Sequence, residues 1–80
     1  MGAVEGFAIV DPEEGPLAHT VRLTRGDCIK WFVFGDNRRI QTDYTYDQAV
    51  RLAEGRWRED FEPQGYRVAV VRISIVDWAT

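Results

Sequence analysis

The first half of the chain alternates between apolar and polar residues in short runs, a period of two that is typical of β-strands. From His19 to Thr24, Val21 and Leu23 fall on one face and the polar residues on the other. Gly26-Asp27 suits a type II′ hairpin turn, because glycine comes first. The pattern therefore predicts strands at Val4 to Val10, His19 to Thr24, Cys28 to Phe34 and Arg38 to Thr42.

A helical period replaces this alternation at Thr45. Thr45 and Gln48 fit a capping box, in which each side chain bonds to the backbone N–H of the other residue. The apolar residues that follow recur every three or four positions and form one stripe: Tyr46, Ala49, Val50, Ala53, Trp57 and Phe61. We therefore predict one amphipathic helix over 45–61. Gly55 lies opposite the stripe and indicates either a kink or an early end of the helix.

The residues from Tyr66 to Trp78 predict a closing strand. Both of its faces are apolar between Val68 and Val71, which favours a central strand or one that a partner covers. The sequence thus predicts a single α+β domain over residues 1–80. We expect an antiparallel β-sheet of four to five strands with one amphipathic α-helix packed on one face, in the order β-β-β-β-α-β. We also expect a monomer rather than a homodimer.

Charge is distributed unevenly along the chain, which carries a formal net charge of −3. Residues 1–20 hold four acidic groups and no Lys or Arg, residues 21–42 hold five basic and two acidic groups, and residues 43–62 hold six acidic and three basic groups. Acidic segments suit a basic groove on a protein partner, because complementary charge steers such encounters. The candidate partner-binding residues are Asp11, Glu13, Glu14, Asp47, Glu54, Glu59, Asp60 and Glu62.

Catalytic and metal-binding residue types are scarce, with one His, one Cys and one Ser. The predicted hairpin places His19 opposite Phe34, six residue steps or roughly 20 Å from Cys28, so these two residues form no dyad. Zinc needs three or four N or S ligands, and the chain offers two. We therefore expect no enzyme activity, no catalytic or metal site and no cofactor. Without a signal peptide or membrane span, we expect a cytoplasmic protein.

An alternative function uses the basic middle of the chain. Cations that alternate with aromatic residues can hold a single strand of nucleic acid by phosphate pairing and base stacking. The candidate residues in the basic hairpin 22–39 are Arg22, Lys30, Phe32, Arg38 and Arg39. We expect Trp31, by contrast, to lie with Ile29 and Val33 on the core face under the helix. The net negative charge argues against non-specific binding of nucleic acid.

One segment suggests a family. The stretch Tyr-Asp-Gln-Ala-Val-Arg-Leu-Ala-Glu-Gly-Arg-Trp-Arg-Glu-Asp at 46–60 is followed by the strand from Tyr66 to Val76. In a short acidic chain with a β-meander, this layout resembles the small phage-encoded anti-CRISPR proteins in overall character. The resemblance implies an inhibitor that acts in the host cytoplasm as a DNA mimic. Such an inhibitor would bind a subunit of a type I CRISPR Cascade complex and block its binding of target DNA.

Overall fold

A computed structural model describes residues 3–74, in which three strands and three α-helices follow the order β-β-α-α-α-β. The strands are β1 (Ala3–Asp11), β2 (Gly15–Pro16) and β3 (Arg67–Ser74). The helices are α1 (Arg25–Phe34), α2 (Arg38–Asp43) and α3 (Tyr46–Arg56). The predicted α+β class is right. The predicted sheet of four to five strands with one helix is wrong, because the sheet of the described residues has three strands and is accompanied by three helices.

The predicted strands from Cys28 to Phe34 and from Arg38 to Thr42 are wrong, because these residues belong to the helices α1 and α2. Thr24 caps α1, since its hydroxyl accepts a hydrogen bond from the N–H of Asp27 at 3.2 Å, so Gly26-Asp27 opens a helix instead of turning a hairpin. Asn37 caps α2 in the same way, by accepting from the N–H groups of Arg39 and Ile40. The predicted strand from His19 to Thr24 is also wrong. It is a 3₁₀ turn (Ala18–Thr20) followed by a single bridge between Arg22 and Phe7.

The helix predicted over 45–61 begins with both bonds of the capping box. Thr45 Oγ1 accepts from the N–H of Gln48 at 3.2 Å, and the N–H of Thr45 donates to Gln48 Oε1 at 3.0 Å. Regular α-helix ends at Arg56, beyond Gly55, and widens into a π-helical turn (Trp57–Phe61). A 3₁₀ turn (Glu62–Gln64) follows, and Gly65 ends it with a positive φ of 98°. Gly55 therefore stands beside the point where the regular helix ends.

β1 is the central strand of the sheet, whose order is β2-β1-β3. It pairs with β3 in one unbroken antiparallel register from Ala3↔Ser74 to Val10↔Arg67. Its other edge is completed by β2 and by the bridge to Arg22. Within residues 3–74, β3 is thus an edge strand, and the predicted central position is wrong. The part of the predicted closing strand beyond Ser74 lies outside the described residues.

The core lies between one face of the sheet and the helices α1 and α3. Its buried residues are Ile9, Cys28, Ile29, Ala53 and Trp57. Half-buried aromatic rings extend it toward the end of α3, where Phe32 packs edge-on against Trp57 and Phe61. Among the described helices, none is both long and apolar enough to cross a membrane.

Candidate functional site

The two acidic segments of the sequence meet at one end of the molecule. The turn that closes the helical region brings Gly65 against the loop after β1, so that a Cβ atom on Gly65 would lie 3.2 Å from Pro12 Cβ. Six carboxylates lie within six sequence positions of Pro12 or Gly65, and we call them the acidic end: Asp11, Glu13, Glu14, Glu59, Asp60 and Glu62. All are exposed except the half-buried Asp11. The fold therefore joins groups that are about fifty positions apart in the sequence.

Asp11 organises the loop half of this end. Its Oδ1 accepts hydrogen bonds from the N–H groups of Glu13 at 2.7 Å and Glu14 at 3.1 Å. These two bonds favour the charged form and hold the pKa of Asp11 below its ordinary value of 3.8. Asp11 therefore stays ionised at any physiological pH.

The three carboxylates of the loop act on Tyr66. Partial loss of water contact raises the pKa of its phenol above 10.0, and the negative charges of Asp11, Glu13 and Glu14 raise it further. Tyr66 directly follows Gly65, so the negative potential of the loop reaches the end of the helical region. On the other side, Arg25 and Arg67 border the acidic end around a shallow surface cavity that also includes Glu62.

Two predicted partner-binding residues do not belong to the acidic end. Glu54 pairs with Arg25, with 3.2 Å between Oε1 and the guanidinium, which is the one ion pair among residues 3–74. Asp47 lies in the first turn of α3, roughly 20 Å of helix away from Phe61. The acidic end thus consists of the other six predicted residues, and none of them forms an ion pair within the described chain.

A second surface carries the basic residues of the middle segment. The guanidinium of Arg22 lies 5.1 Å from the centre of the Trp31 ring, and the ammonium of Lys30 lies 5.0 Å from the same ring. Lys30 also lies 5.5 Å from the ring of Tyr46. We call Arg22, Lys30, Trp31 and Tyr46 the basic-aromatic surface. Contacts of this kind hold a cation in place without neutralising it, because the rings carry no net charge.

The predicted roles of Trp31 and Phe32 are exchanged on this surface. Phe32, a candidate for stacking on nucleic acid, packs in the core against Trp57 at a centroid distance of 5.8 Å. Trp31, which was expected in the core, lies between the cations at the surface. The exchange follows from the secondary structure of this segment, because a helix does not place alternate residues on one face as a strand does. The Thr24 cap was the signal that could have revealed it.

Two cavities flank the basic-aromatic surface. One of about 320 Å³ is lined by His19, Thr20, Arg22, Trp31, Phe32 and Gly35. The other, of about 160 Å³, is lined by Lys30, Ile40, Gln41, Tyr44, Thr45, Tyr46 and Ala49. Tyr46, the most exposed of its aromatic residues, keeps 52% of its surface accessible and donates a hydrogen bond to Asp27 at 3.1 Å. The remaining predicted basic residues, Arg38 and Arg39, are exposed at the start of the neighbouring α2.

His19 and Cys28 lie in different environments. Cys28 is fully buried and its thiol donates to the carbonyl oxygen of Thr20 at 3.3 Å, whereas His19 is exposed. Burial raises the pKa of the thiol above 9.0, which removes the thiolate that nucleophilic chemistry needs. The residues from 3 to 74 hold no group of three or more His, Cys, Asp or Glu side chains placed for a metal ion.

No protein-family model, no curated protein and no solved structure matches the chain. The acidic end and the basic-aromatic surface are therefore the observations from which a function can be argued.

Proposed function

We propose that this protein is a small protein-binding inhibitor of the anti-CRISPR type, which acts in the host cytoplasm. Its acidic end would occupy a basic, nucleic-acid-binding groove of a host complex and so block the binding of DNA. The observation that carries the proposal is the close approach of Gly65 to Pro12, which brings the acidic loop after β1 beside the turn that follows the acidic residues 59–62.

Electrostatics supports this surface as a site of contact. The six carboxylates of the acidic end lie on two segments that the fold brings together, and none of them forms an ion pair within residues 3–74. Glu59, Asp60 and Glu62 also lie near the carboxyl end of a helix, where negative charge is unfavourable by some tenths of a kcal/mol. Folding alone does not favour such an arrangement, whereas a basic partner relieves the repulsion and is steered toward it.

A gel-mobility experiment tests the inhibitor function. A purified type I CRISPR surveillance complex is mixed with its labelled target DNA, with and without the protein. We expect the protein to abolish the shifted DNA band. The triple variant Glu13→Gln, Glu14→Gln and Glu62→Gln should restore the band, because it removes three charges from the acidic end.

A matched control separates this effect from net charge. Asp36→Asn, Asp43→Asn and Asp47→Asn together remove the same number of charges from exposed positions outside the acidic end. We expect this control to inhibit as the unmodified protein does. An unchanged DNA band in the presence of excess unmodified protein, or equal inhibition by both triple variants, would contradict the proposal.

The basic-aromatic surface favours a second candidate function, the binding of single-stranded nucleic acid. The ammonium of Lys30 lies within 5.5 Å of two aromatic rings, beside a cavity that includes Tyr44. Aromatic rings and cations of this kind serve for base stacking and phosphate contact. We expect that Lys30→Glu abolishes any low-salt mobility shift of a single-stranded oligonucleotide, whereas Arg51→Glu, an exposed control on α3, leaves it. Absence of a shift with the unmodified protein would rule this function out.

A further inference from the structure

The outer edge of β3 presents backbone groups that the described chain leaves without strand partners. The N–H and C=O of Phe7 bond to Arg22, and those of Ile9 bond to Thr20 and Leu17, all on the side of β1 away from β3. Since consecutive residues of a strand direct these groups to opposite edges, the even-numbered residues of β1 face β3. Through the register, the residues of β3 whose backbone groups face outward are Val68, Val70, Arg72 and Ser74.

This edge has few of the features that normally prevent strands from pairing. Natural sheets protect an edge with proline, charged side chains (lysine above all), a bulge or a very short strand. β3 has eight residues with no proline, glycine or lysine, and its register with β1 runs without a bulge. Its two charged residues, Arg67 and Arg72, stand on either side of the apolar stretch from Val68 to Val71. Its side chains are also suited to burial, because Val70 keeps 62% of its surface exposed in the middle of the strand. Such an edge is a template for another strand.

We propose that a second copy of the chain pairs antiparallel along β3, so that two sheets join into one six-stranded sheet; this replaces the monomer that the sequence led us to expect. The two-fold axis would pass between the Val70 residues of the two copies. Val70 is an outward-facing residue, so the two copies would exchange both backbone hydrogen bonds there. The same register pairs Val68 of each copy with Arg72 of the other, and these residues also face outward. Closed two-fold symmetry is the commonest form of homo-oligomer.

The charges of the strand are compatible with this register and point to a second copy as the occupant. Arg72 would face Val68, and Arg67 would face Ile73, so no two arginines stand opposite each other. Within its own copy, Arg72 is opposite Glu5 on β1, which supplies the opposite charge. The strand therefore complements itself in hydrogen bonds, apolar contact and charge. The dimer goes beyond the proposed function, because it would present two acidic ends, each close to the start of one β3.

Sedimentation equilibrium of the full chain over increasing concentration tests the dimer, with amide hydrogen exchange as a second measurement. We expect the mass to rise from 9.2 kDa to twice that value. The amides of Val68, Val70 and Arg72 should become protected over the same concentration range. Val70→Lys should weaken dimerisation at least about tenfold, because it places two like charges opposite each other. Val4→Lys, at an exposed valine on β1, should dimerise as the unmodified chain does.

Each other outcome overturns the proposal. A mass that stays at 9.2 kDa up to about 1 mM protein would show that no dimer of useful affinity forms. A dimer in which the three amides exchange fast would show that another surface makes the contact, and so would equal masses for Val70→Lys and the unmodified chain. Open-ended growth beyond two copies would contradict the two-fold arrangement. Circular dichroism checks that both lysine variants are folded.

Discussion

The hydroxyl of Thr20 completes the edge of β1 that faces away from β3, where its Oγ1 accepts a hydrogen bond from the N–H of Ile9 at 2.8 Å. The same hydroxyl donates to the carbonyl oxygen of Leu17 at 2.6 Å. Thr20 is 4% exposed and Ile9 is fully buried, so the N–H of Ile9 cannot turn to water instead. One side chain thus supplies what a neighbouring strand would otherwise provide, and it anchors the 3₁₀ turn to the sheet.

We predict that Thr20→Val lowers the free energy of unfolding by about 1–3 kcal/mol, because it leaves the buried N–H of Ile9 unpaired. The carbonyl oxygen of Leu17 keeps the hydrogen bond from the N–H of Thr20. Urea denaturation measures the change. Thr20→Ser keeps the hydroxyl and should lose distinctly less stability. A larger loss for Thr20→Ser than for Thr20→Val would mean that the methyl contacts of Thr20, and not its hydrogen bonds, stabilise this edge.

The exchanged positions of Trp31 and Phe32 give a second prediction. Phe32→Ala should destabilise the fold by about 3 kcal/mol, because its ring packs against Trp57 and Phe61 in the aromatic part of the core. Trp31→Ala should cost less, about 1–2 kcal/mol, the scale of cation–π contacts between half-buried groups. Thermal unfolding of the two variants measures the order. A larger loss of stability for Trp31→Ala than for Phe32→Ala would contradict the helix α1 and favour the predicted strand, in which Trp31 faces the core.

Cys28 gives a prediction about alkaline pH. Burial raises the pKa of its thiol in the folded state, so the unfolded chain releases this proton at a lower pH than the folded chain does. The contribution of the Cys28 thiol to the free energy of unfolding is therefore complete below the pKa of the thiol in the unfolded chain. It is lost as pH rises through the pKa of the thiol in the folded chain. We expect stability to fall more steeply above about pH 8.5 in the unmodified protein than in Cys28→Ala. Parallel pH profiles from urea denaturation would contradict this.

Alanine substitutions at two glycines with positive φ distinguish the cost of backbone strain from the cost of disturbing the approach of Gly65 to Pro12. Gly65→Ala and Gly15→Ala both place a Cβ atom at an unfavourable φ, of 98° and 83°. A side chain at Gly65 additionally meets Pro12, whereas nothing lies within 4 Å at Gly15. We expect each to cost about 1–2 kcal/mol from strain, with a further loss for Gly65→Ala only. Chemical denaturation measures both, and equal losses would mean that the Pro12 contact contributes nothing.

The parts of the fold that sequence could predict are those with local causes. The start of α3 follows from Thr45 and Gln48, which bond to each other's backbone three residues apart. The helical period correctly predicts the burial of Ala49, Ala53 and Trp57, whereas Tyr46 of the same stripe is exposed. α1 was predicted as a strand because Ile-Lys-Trp-Phe-Val-Phe is rich in β-favouring residues and Gly26-Asp27 suits a turn. Packing of Ile29 and Phe32 against the sheet and helices overrides that preference.

The candidate sites depended on tertiary contacts to different degrees. Charge along the sequence was enough to predict the acidic residues, but their union required the contact between Pro12 and Gly65, which no local pattern encodes. The basic-aromatic surface was predicted with the wrong aromatic residue, because the face that Trp31 occupies depends on α1 being a helix. Glu54 left the predicted set for a similar reason, since its partner Arg25 lies at the start of α1.

The central claim is that the acidic end is the surface that binds the partner. Its most direct test is the affinity for a purified type I surveillance complex, measured by calorimetry at low and at physiological salt. We predict that neutralising Glu13, Glu14 and Glu62 together weakens binding at least about tenfold at low salt and less at physiological salt, where charges are screened. The control at Asp36, Asp43 and Asp47 should keep the affinity of the unmodified protein. Equal affinities for both triple variants would contradict the claim.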